Sequence, residues 1–550
     1  MGVSARPRKR WNTDYSQSRH HQRVQNRDPA APTSTRLTAG DRRLVGPAAV
    51  LALGAYLLAV GLLFASRVRE FADETDNLLG GLLITRGDRL YVDFFSSHMP
   101  LAYYVAAIPA LLGAVTLEQF RVFTDLLLIL ATLGVVWAFR ATLPTPVLAI
   151  WATLTVFAHT LQWGEMLTAS TCAGYGVLVA GLLFFTTPTL RFTLRQQLLL
   201  SAAVFLAVQS ELVAFFPLLL LGACYVARRW RDVRSMLRLS LVVAAPHVAM
   251  LLALWLSGEL PDFVYYAYQF NQLYYAQFVM NPSVLGILHD WEAQYRAYVQ
   301  LSLQSPLGVH AALVVANLAA ACLVARSRGV WIALVCYLFI ALTRVRDEGA
   351  YYLCSYFSLA LVAAWAFGAL KVRSPWWRLA LPALSLAVGV NFVVQVALSY
   401  DLSVRPARNE PDVAIVAAIT SPGERIFVVP YDPYVYLATQ RMPASVFPYY
   451  FPWQAIDPRS EARLRDDLHA APPPVIIFRG DELVNGQWMP KVYGKPLYDF
   501  LSTEGYVPLL GDVLVRQDRL GTARDDLANQ PLQTAAAQQQ QRGVQQQTVP

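Results

Sequence analysis

Asp73, Glu74, Asp76 and Asn77 stand within five consecutive positions, shortly after an apolar run that extends from Leu44 to Ala65. A carboxylate at the point where a chain leaves a hydrophobic segment is partly desolvated, and partial desolvation suits a general base. Asp73 and Glu74 are therefore candidate catalytic residues, against the alternative of ordinary charge on an interfacial helix. Asp76 and Asn77, one turn further on, can orient a substrate or face water. Asp93 and His98 straddle an aromatic turn that ends at Pro100. A histidine in such a place either organises the turn by hydrogen bonds or binds substrate.

Further charges stand at helix ends. Arg344 and Arg346, beside Asp347 and Glu348, lie where the charge pattern of the rest of the chain does not call for arginine. Guanidinium forks match phosphate oxygens, so this pair can hold a lipid phosphate; a local ion pair with the adjacent acids is the alternative. Glu165 and Glu211 are each either a second acid of the site or a loop charge. The tyrosine-rich run from Tyr265 to Tyr275 has faces on which sugar rings stack, although tyrosine also gathers at membrane interfaces without any ligand. The chain has no P-loop, no G-x-G-x-x-G after a strand, no H-E-x-x-H and no G-x-S-x-G. That weighs against an ATP-driven pump, a dinucleotide enzyme, a zinc protease and a serine hydrolase. The five cysteines sit inside apolar blocks, where cysteine behaves as a small hydrophobe.

The elements that must position these residues are membrane helices. Of the 550 residues 55% are hydrophobic and 15% charged, and the apolar residues fall into blocks of about the length that crosses a bilayer, ~20 residues. Residues 1–43 carry ten basic against three acidic residues, which accounts for nearly all of the net charge of +8. This arm reads as a disordered cytoplasmic retention signal rather than a nucleic-acid site. If the block from Met99 to Leu117 lies in the interface and the other blocks cross, the later arginine clusters fall on the cytoplasmic side; if it spans, they all move outside. The positive-inside rule thus selects about eleven spans and an extracytoplasmic C-terminus.

The expected fold is a polytopic α-helical membrane protein of the cell membrane. Residues 44–400 form the transmembrane domain, and 67–117 its first extracytoplasmic loop, with two amphipathic helices lying on the surface, one over 73–83 and one from Leu101. Residues 401–520 form a small extracytoplasmic α/β domain. It has strands at Arg425–Val429 and Val475–Phe478 around a helix at Ser460–His469. Residues 521–550 are a disordered Gln-rich tail.

The series Phe71-Ala-Asp73-Glu74-Thr-Asp76-Asn77, Gly80-Gly81, Gly87, Tyr91-x-Asp93-Phe94-Phe95 and His98-x-Pro100-Leu-x-Tyr103-Tyr104 resembles the first extracytoplasmic loop of the GT-C membrane glycosyltransferases. It is most similar to the bacterial branch related to protein O-mannosyltransferases and lipid A aminoarabinose transferases. Arg121, at the start of the next helix, fits the same pattern. The resemblance implies a sugar donor on a polyprenyl phosphate, used at the outer face. It makes Asp73 the base that takes a proton from the acceptor hydroxyl while C1 is attacked with inversion, with Glu74 in support. The branch is generally metal-independent, so no cofactor is expected, although Asp76 leaves room for a divalent ion. Met99-Pro100 departs from the Pro-Pro often found there. Asp76, Asp93, His98, Glu165, Arg344 and Arg346 are the expected substrate-binding residues. The acceptor is a lipid, a glycan or a protein. A flippase for a lipid-linked sugar is the competing expectation, and a non-enzymatic scaffold a third.

Overall fold

The computed structural model describes residues 72–140, 169–187, 189–279, 411–484 and 487–529, and individually Gly54, Ala55, Leu58, Leu148 and Ala152. The basic arm, the apolar blocks beyond residue 280 and the Gln-rich tail from residue 530 lie outside the described residues, as do Glu165, Arg344 and Arg346.

The helical part runs α1 (Ala72–Thr85), α2 (Leu101–Leu111), α3 (Leu117–Phe139), α4 (Ala169–Thr186), α5 (Leu194–Ser210), α6 (Phe215–Arg229) and α7 (Val233–Leu256). The ends follow local chemistry. At the start of α3 the Gln119 N–H donates to Thr116 Oγ1 (3.4 Å) and the Thr116 N–H donates back to Gln119 Oε1 (3.2 Å), so two otherwise orphaned donors are satisfied. Thr193 and Gln196 start α5 in the same way. Helices α3 and α7, of 23 and 24 residues, are long and apolar enough to cross a membrane. Leu237, Leu241, Val248, Leu252 and Trp255 leave α7 with an exposed apolar face, a surface suited to lipid rather than water. Between α4 and α5, a Cβ on Gly176 would lie 2.8 Å from the Ala207 N and 2.9 Å from its Cβ. Small residues let these two backbones approach closely.

In the first loop, helix α1 is enclosed by protein. Every residue of α1 from Glu74 to Leu83 is buried, including the polar positions that an amphipathic helix would turn to water. The reason is that α1 is covered on more than its leucine side. Tyr103 of α2 and Arg121 of α3 reach its polar groups, and Gly80 and Gly81 admit α2 closely. A Cβ on Gly81 would fall 2.5 Å from the Ala106 carbonyl carbon, and one on Gly80 would collide with the Tyr103 ring.

The tyrosine-rich run is helical rather than an open loop. After a turn at Leu260–Val264, Tyr265–Tyr275 form a π-helix. Its Tyr266 and Phe270 rings are buried in the core, whereas Tyr268 is exposed.

The C-terminal domain comprises α8 (Pro411–Ile419), β1 (Arg425–Val429), α9 (Pro433–Thr439), β2 (Met442–Pro443), α10 (Pro458–Ala470), β3 (Val475–Phe478), α11 (Lys495–Thr503), β4 (Tyr506–Leu510), β5 (Val513–Arg516) and α12 (Leu520–Ala528). The sheet order is β2-β1-β3-β5-β4, with β1 parallel to β2 and β3, and β5 antiparallel to β3 and β4. Both β1 and β3 are apolar runs, as strands covered on two faces must be. The domain runs on through α12, whose Ala523 is buried, past the boundary expected near residue 520. The sequence places that boundary early because the helix is rich in polar residues and leads directly into the glutamine tract.

Candidate active site

The first turn of α1 brings Asp73 and Glu74 to a helix N-terminus, where the unpaired N–H groups and the helix dipole favour carboxylates. Their surroundings differ sharply. Glu74 is fully buried and takes a two-point ion pair from Arg121 of α3, Nε to Oε1 at 2.9 Å and Nη2 to Oε2 at 2.5 Å. That pair compensates the charge and crosslinks α1 to α3, but it leaves Glu74 committed. Asp73 is exposed, and its Oδ1 accepts a hydrogen bond from Tyr431 Oη at 3.2 Å. Asp73 is the exposed member of the acidic set on α1.

Asp76 is buried at the end of a hydroxyl chain. Ser96 Oγ donates to Tyr103 Oη (2.8 Å), and Tyr103 Oη donates to Asp76 Oδ2 (2.6 Å). Burial pushes the Asp76 carboxyl up to about 6, opposed by the Tyr103 hydrogen bond and the positive field of His98. Asn77 Nδ2 donates to the Asp73 carbonyl at 2.6 Å. The loop that follows is fixed by its own polar groups. The His98 N–H donates to Ser96 Oγ (2.9 Å), and the His98 carbonyl accepts from Tyr91 Oη (2.7 Å). Tyr91 is buried with φ +70°, a conformation that a non-glycine residue holds only when its surroundings impose it.

The remaining expected residues separate. The His98 side chain is exposed, within electrostatic reach of Asp76. Asp93 is paired with Arg89 Nε (2.9 Å) and accepts the Arg89 N–H (2.9 Å), which holds its carboxyl below the usual range and organises the turn. Glu211 is buried at the end of α5.

The sequence suggests that the C-terminal domain helps recognise the acceptor, from its place beside the active face, but does not single out the residues by which it meets the first loop. Phe95 of the first loop has ring neighbours in the π-helix, Tyr266 at 5.1 Å and Phe270 at 5.3 Å. In the C-terminal domain it meets Phe447 at 5.1 Å and Tyr449 at 5.8 Å. The Phe95 N–H donates to the Val446 carbonyl at 2.7 Å, and Arg463 Nη2 donates to the Val92 carbonyl. Tyr265 Oη donates to Asp457 (2.7 Å), and Asn271 Nδ2 to the Ser97 carbonyl (2.6 Å). Loop, π-helix and C-terminal domain thus share one aromatic core. Asp125 was also missed. It lies one turn beyond Arg121 on α3 and is fully buried, and among the described residues neither carboxylate oxygen has a hydrogen-bond partner. Its i, i+4 spacing from Arg121 is the signal that finds it.

The chain is similar to solved structures, among them two of one protein. One is the crystal structure of ArnT from Cupriavidus metallidurans bound to undecaprenyl phosphate, with 15% identity, a TM-score of 0.44, and coverage of 72% of this chain and 84% of that one. The other is ArnT from the same organism in the apo state, with 14% identity and the same TM-score and coverage. No family model and no curated protein matches. Among the described residues no group of three or more histidine, cysteine or acidic side chains is arranged to hold a metal ion.

Proposed function

We propose that the chain is an integral membrane glycosyltransferase that moves a sugar from a polyprenyl phosphate to an acceptor hydroxyl at the extracytoplasmic face. The observation that carries this reading is the division of labour on α1. Glu74 is tied to Arg121 and Asp76 to Tyr103, whereas Asp73 is exposed at a helix N-terminus. A carboxylate so placed can accept a proton. The loop motif that resembles the GT-C enzymes supports the same assignment.

In this mechanism the acceptor hydroxyl gives its proton to Asp73 as its oxygen bonds to C1 of the sugar. The bond from C1 to the phosphate oxygen breaks on the opposite side, so the configuration inverts and polyprenyl phosphate leaves. Glu74 and Arg121 hold the first turn of α1 in place. Arg344 and Arg346, with Glu165, are our candidates for binding the donor phosphate and the acceptor, on charge and position in the sequence. We assign no metal to the step, because the carboxylates beside Asp73 are already engaged by Arg121 and Tyr103; transfer then persists in a chelator. The acceptor is a lipid, a glycan or a protein.

The test is transfer by the purified full chain from radiolabelled polyprenyl-phosphate sugars. General-base removal in Asp73→Asn is expected to lower the rate about 10²- to 10⁴-fold at equal folded yield. A variant as active as the wild type would show that the base is elsewhere, and flipping of the lipid donor with unchanged Asp73→Asn behaviour would favour a transporter.

A further inference from the structure

Arginine is concentrated at the end of the helices away from the acidic turn. Helices α5 and α7 run side by side in the same direction, with Ser201 Oγ donating to the Val242 carbonyl at 2.7 Å and Gln209 Nε2 meeting His247 Nδ1 at 2.7 Å, so their starts lie together. The other end of α7, ~36 Å away at 1.5 Å per residue, leads to Glu259, which accepts from Tyr104 of the first loop. Arg191 and Arg195 stand at the start of α5, and Arg234 and Arg238 on the first turns of α7. Arg228, Arg229 and Arg231 occupy the turn between α6 and α7, and of all these only Arg229 is not fully exposed. In residues 186–198 and 226–241 the seven arginines stand against one acid, Asp232, and there is no lysine. Asp232 is already engaged: its Oδ1 accepts the Ser235 N–H at 3.2 Å, and its Oδ2 pairs with Arg229. Arg191 lies within electrostatic reach of Asp232, which ties the start of α5 to the same cluster.

The helix dipole places its positive end at a helix start, so arginines there are disfavoured, and like charges crowded around one acid repel. An anion from outside the chain relieves both. The apolar neighbours indicate which kind. Val233, Leu237 and Leu241, four residues apart on α7, form an exposed stripe beside Arg234 and Arg238, and Leu194 and Leu198 are exposed on α5. Trp230 is 59% exposed, and the Arg231 guanidinium lies 4.8 Å over its ring. Arginine and tryptophan at the end of an apolar stripe match lipid headgroups at the end of acyl chains. We propose that this surface binds the phosphodiester headgroup of an anionic membrane lipid, with guanidinium forks on the phosphate oxygens and the acyl chains along the α7 stripe. Basic residues that merely orient a chain in the membrane need only their charge, whereas two-point recognition of a phosphate needs arginine. This surface is independent of the role of Asp73.

The experiment uses the full chain purified in a neutral detergent and offered equal amounts of phosphatidylglycerol and phosphatidylcholine with identical acyl chains, the retained lipid being counted by native mass spectrometry. The wild type is expected to keep about tenfold more phosphatidylglycerol, a preference that falls as salt rises. Combining Arg228→Gln, Arg231→Gln, Arg234→Gln and Arg238→Gln should abolish it. Lysine at the same four positions keeps the net charge, and so membrane insertion, and should lower the preference about three- to fivefold with the lipid-free melting temperature unchanged. If the glutamine variant does not insert, the wild type and the lysine variant decide. Equal retention of the two lipids by the wild type overturns the proposal. So does a lysine variant with the full preference, which leaves a role for charge alone. Displacement of phosphatidylglycerol by millimolar inorganic phosphate at constant ionic strength also overturns it, because the ligand is then a soluble anion.

Discussion

Helices α1 and α7 solve opposite problems. Helix α7 shows leucine, valine and tryptophan side chains to its surroundings, with Leu241 71% exposed. Helix α1 buries an aspartate, a glutamate, an asparagine and a threonine in its first two turns. Apolar side chains have no hydrogen bonds to satisfy, so the exposed face of α7 calls for no particular partner. Buried polar groups are costly unless each finds a counterpart, so α1 is specified by a few long-range partners: Arg121 for Glu74, Tyr103 for Asp76, Tyr431 for Asp73. The difference teaches where this molecule tolerates change. One helix is defined by its composition and the other by its neighbours.

That contrast can be broken most forcefully at the Glu74–Arg121 pair. Arg121→Met strands a buried carboxylate and should destabilise the fold by about 3–5 kcal/mol, measured by thermal unfolding in detergent. The double variant with Glu74→Gln should recover much of that loss; a single variant as stable as wild type would mean that the pair is not the crosslink described.

Asp76 sharpens the comparison through pH. Its carboxyl sits at about 6 in the folded chain against 3.8 when unperturbed. The folded state therefore holds its proton more tightly than the unfolded one. The resulting stability is fully present below pH 3.8 and is lost as pH rises through about 6. Asp76→Asn should flatten the stability profile between those values, and an unchanged slope would contradict the burial assigned to this group.

The smallest effect belongs to α7. Leu241→Ala should alter stability by less than about 0.5 kcal/mol in the same unfolding assay, as exposed substitutions usually do. A larger loss would place a protein neighbour on that face.

Much of the scaffold was readable from local pattern. The apolar blocks at 119–140, 171–187, 196–210 and 237–256 correspond to α3, α4, α5 and α7, each helix starting a few residues earlier. The expected strands Arg425–Val429 and Val475–Phe478 are β1 and β3, and the expected helix at Ser460–His469 lies within α10. These elements announce themselves because each owes its form to nearest neighbours in sequence. The loop carboxylates were legible as a group, but not their separate fates. Nothing local distinguishes Asp73 from Glu74, because Arg121, which pairs with Glu74, is on another helix and Tyr431, which donates to Asp73, is in another domain. Within the tyrosine run, Tyr266 and Phe270 are told apart from the other aromatics only when Phe95 and Phe447 are placed beside them.

The meeting of Phe95 with Phe447 also has a temporal side. A ribosome adds about 5–20 residues per second, so the chain between these two rings takes roughly twenty seconds to a minute to make. Through that interval the first loop exists without the domain that covers its aromatic residues and supplies Tyr431. The nascent protein therefore carries its acidic turn long before Phe447, Tyr449 and Tyr431 exist to pack beside it.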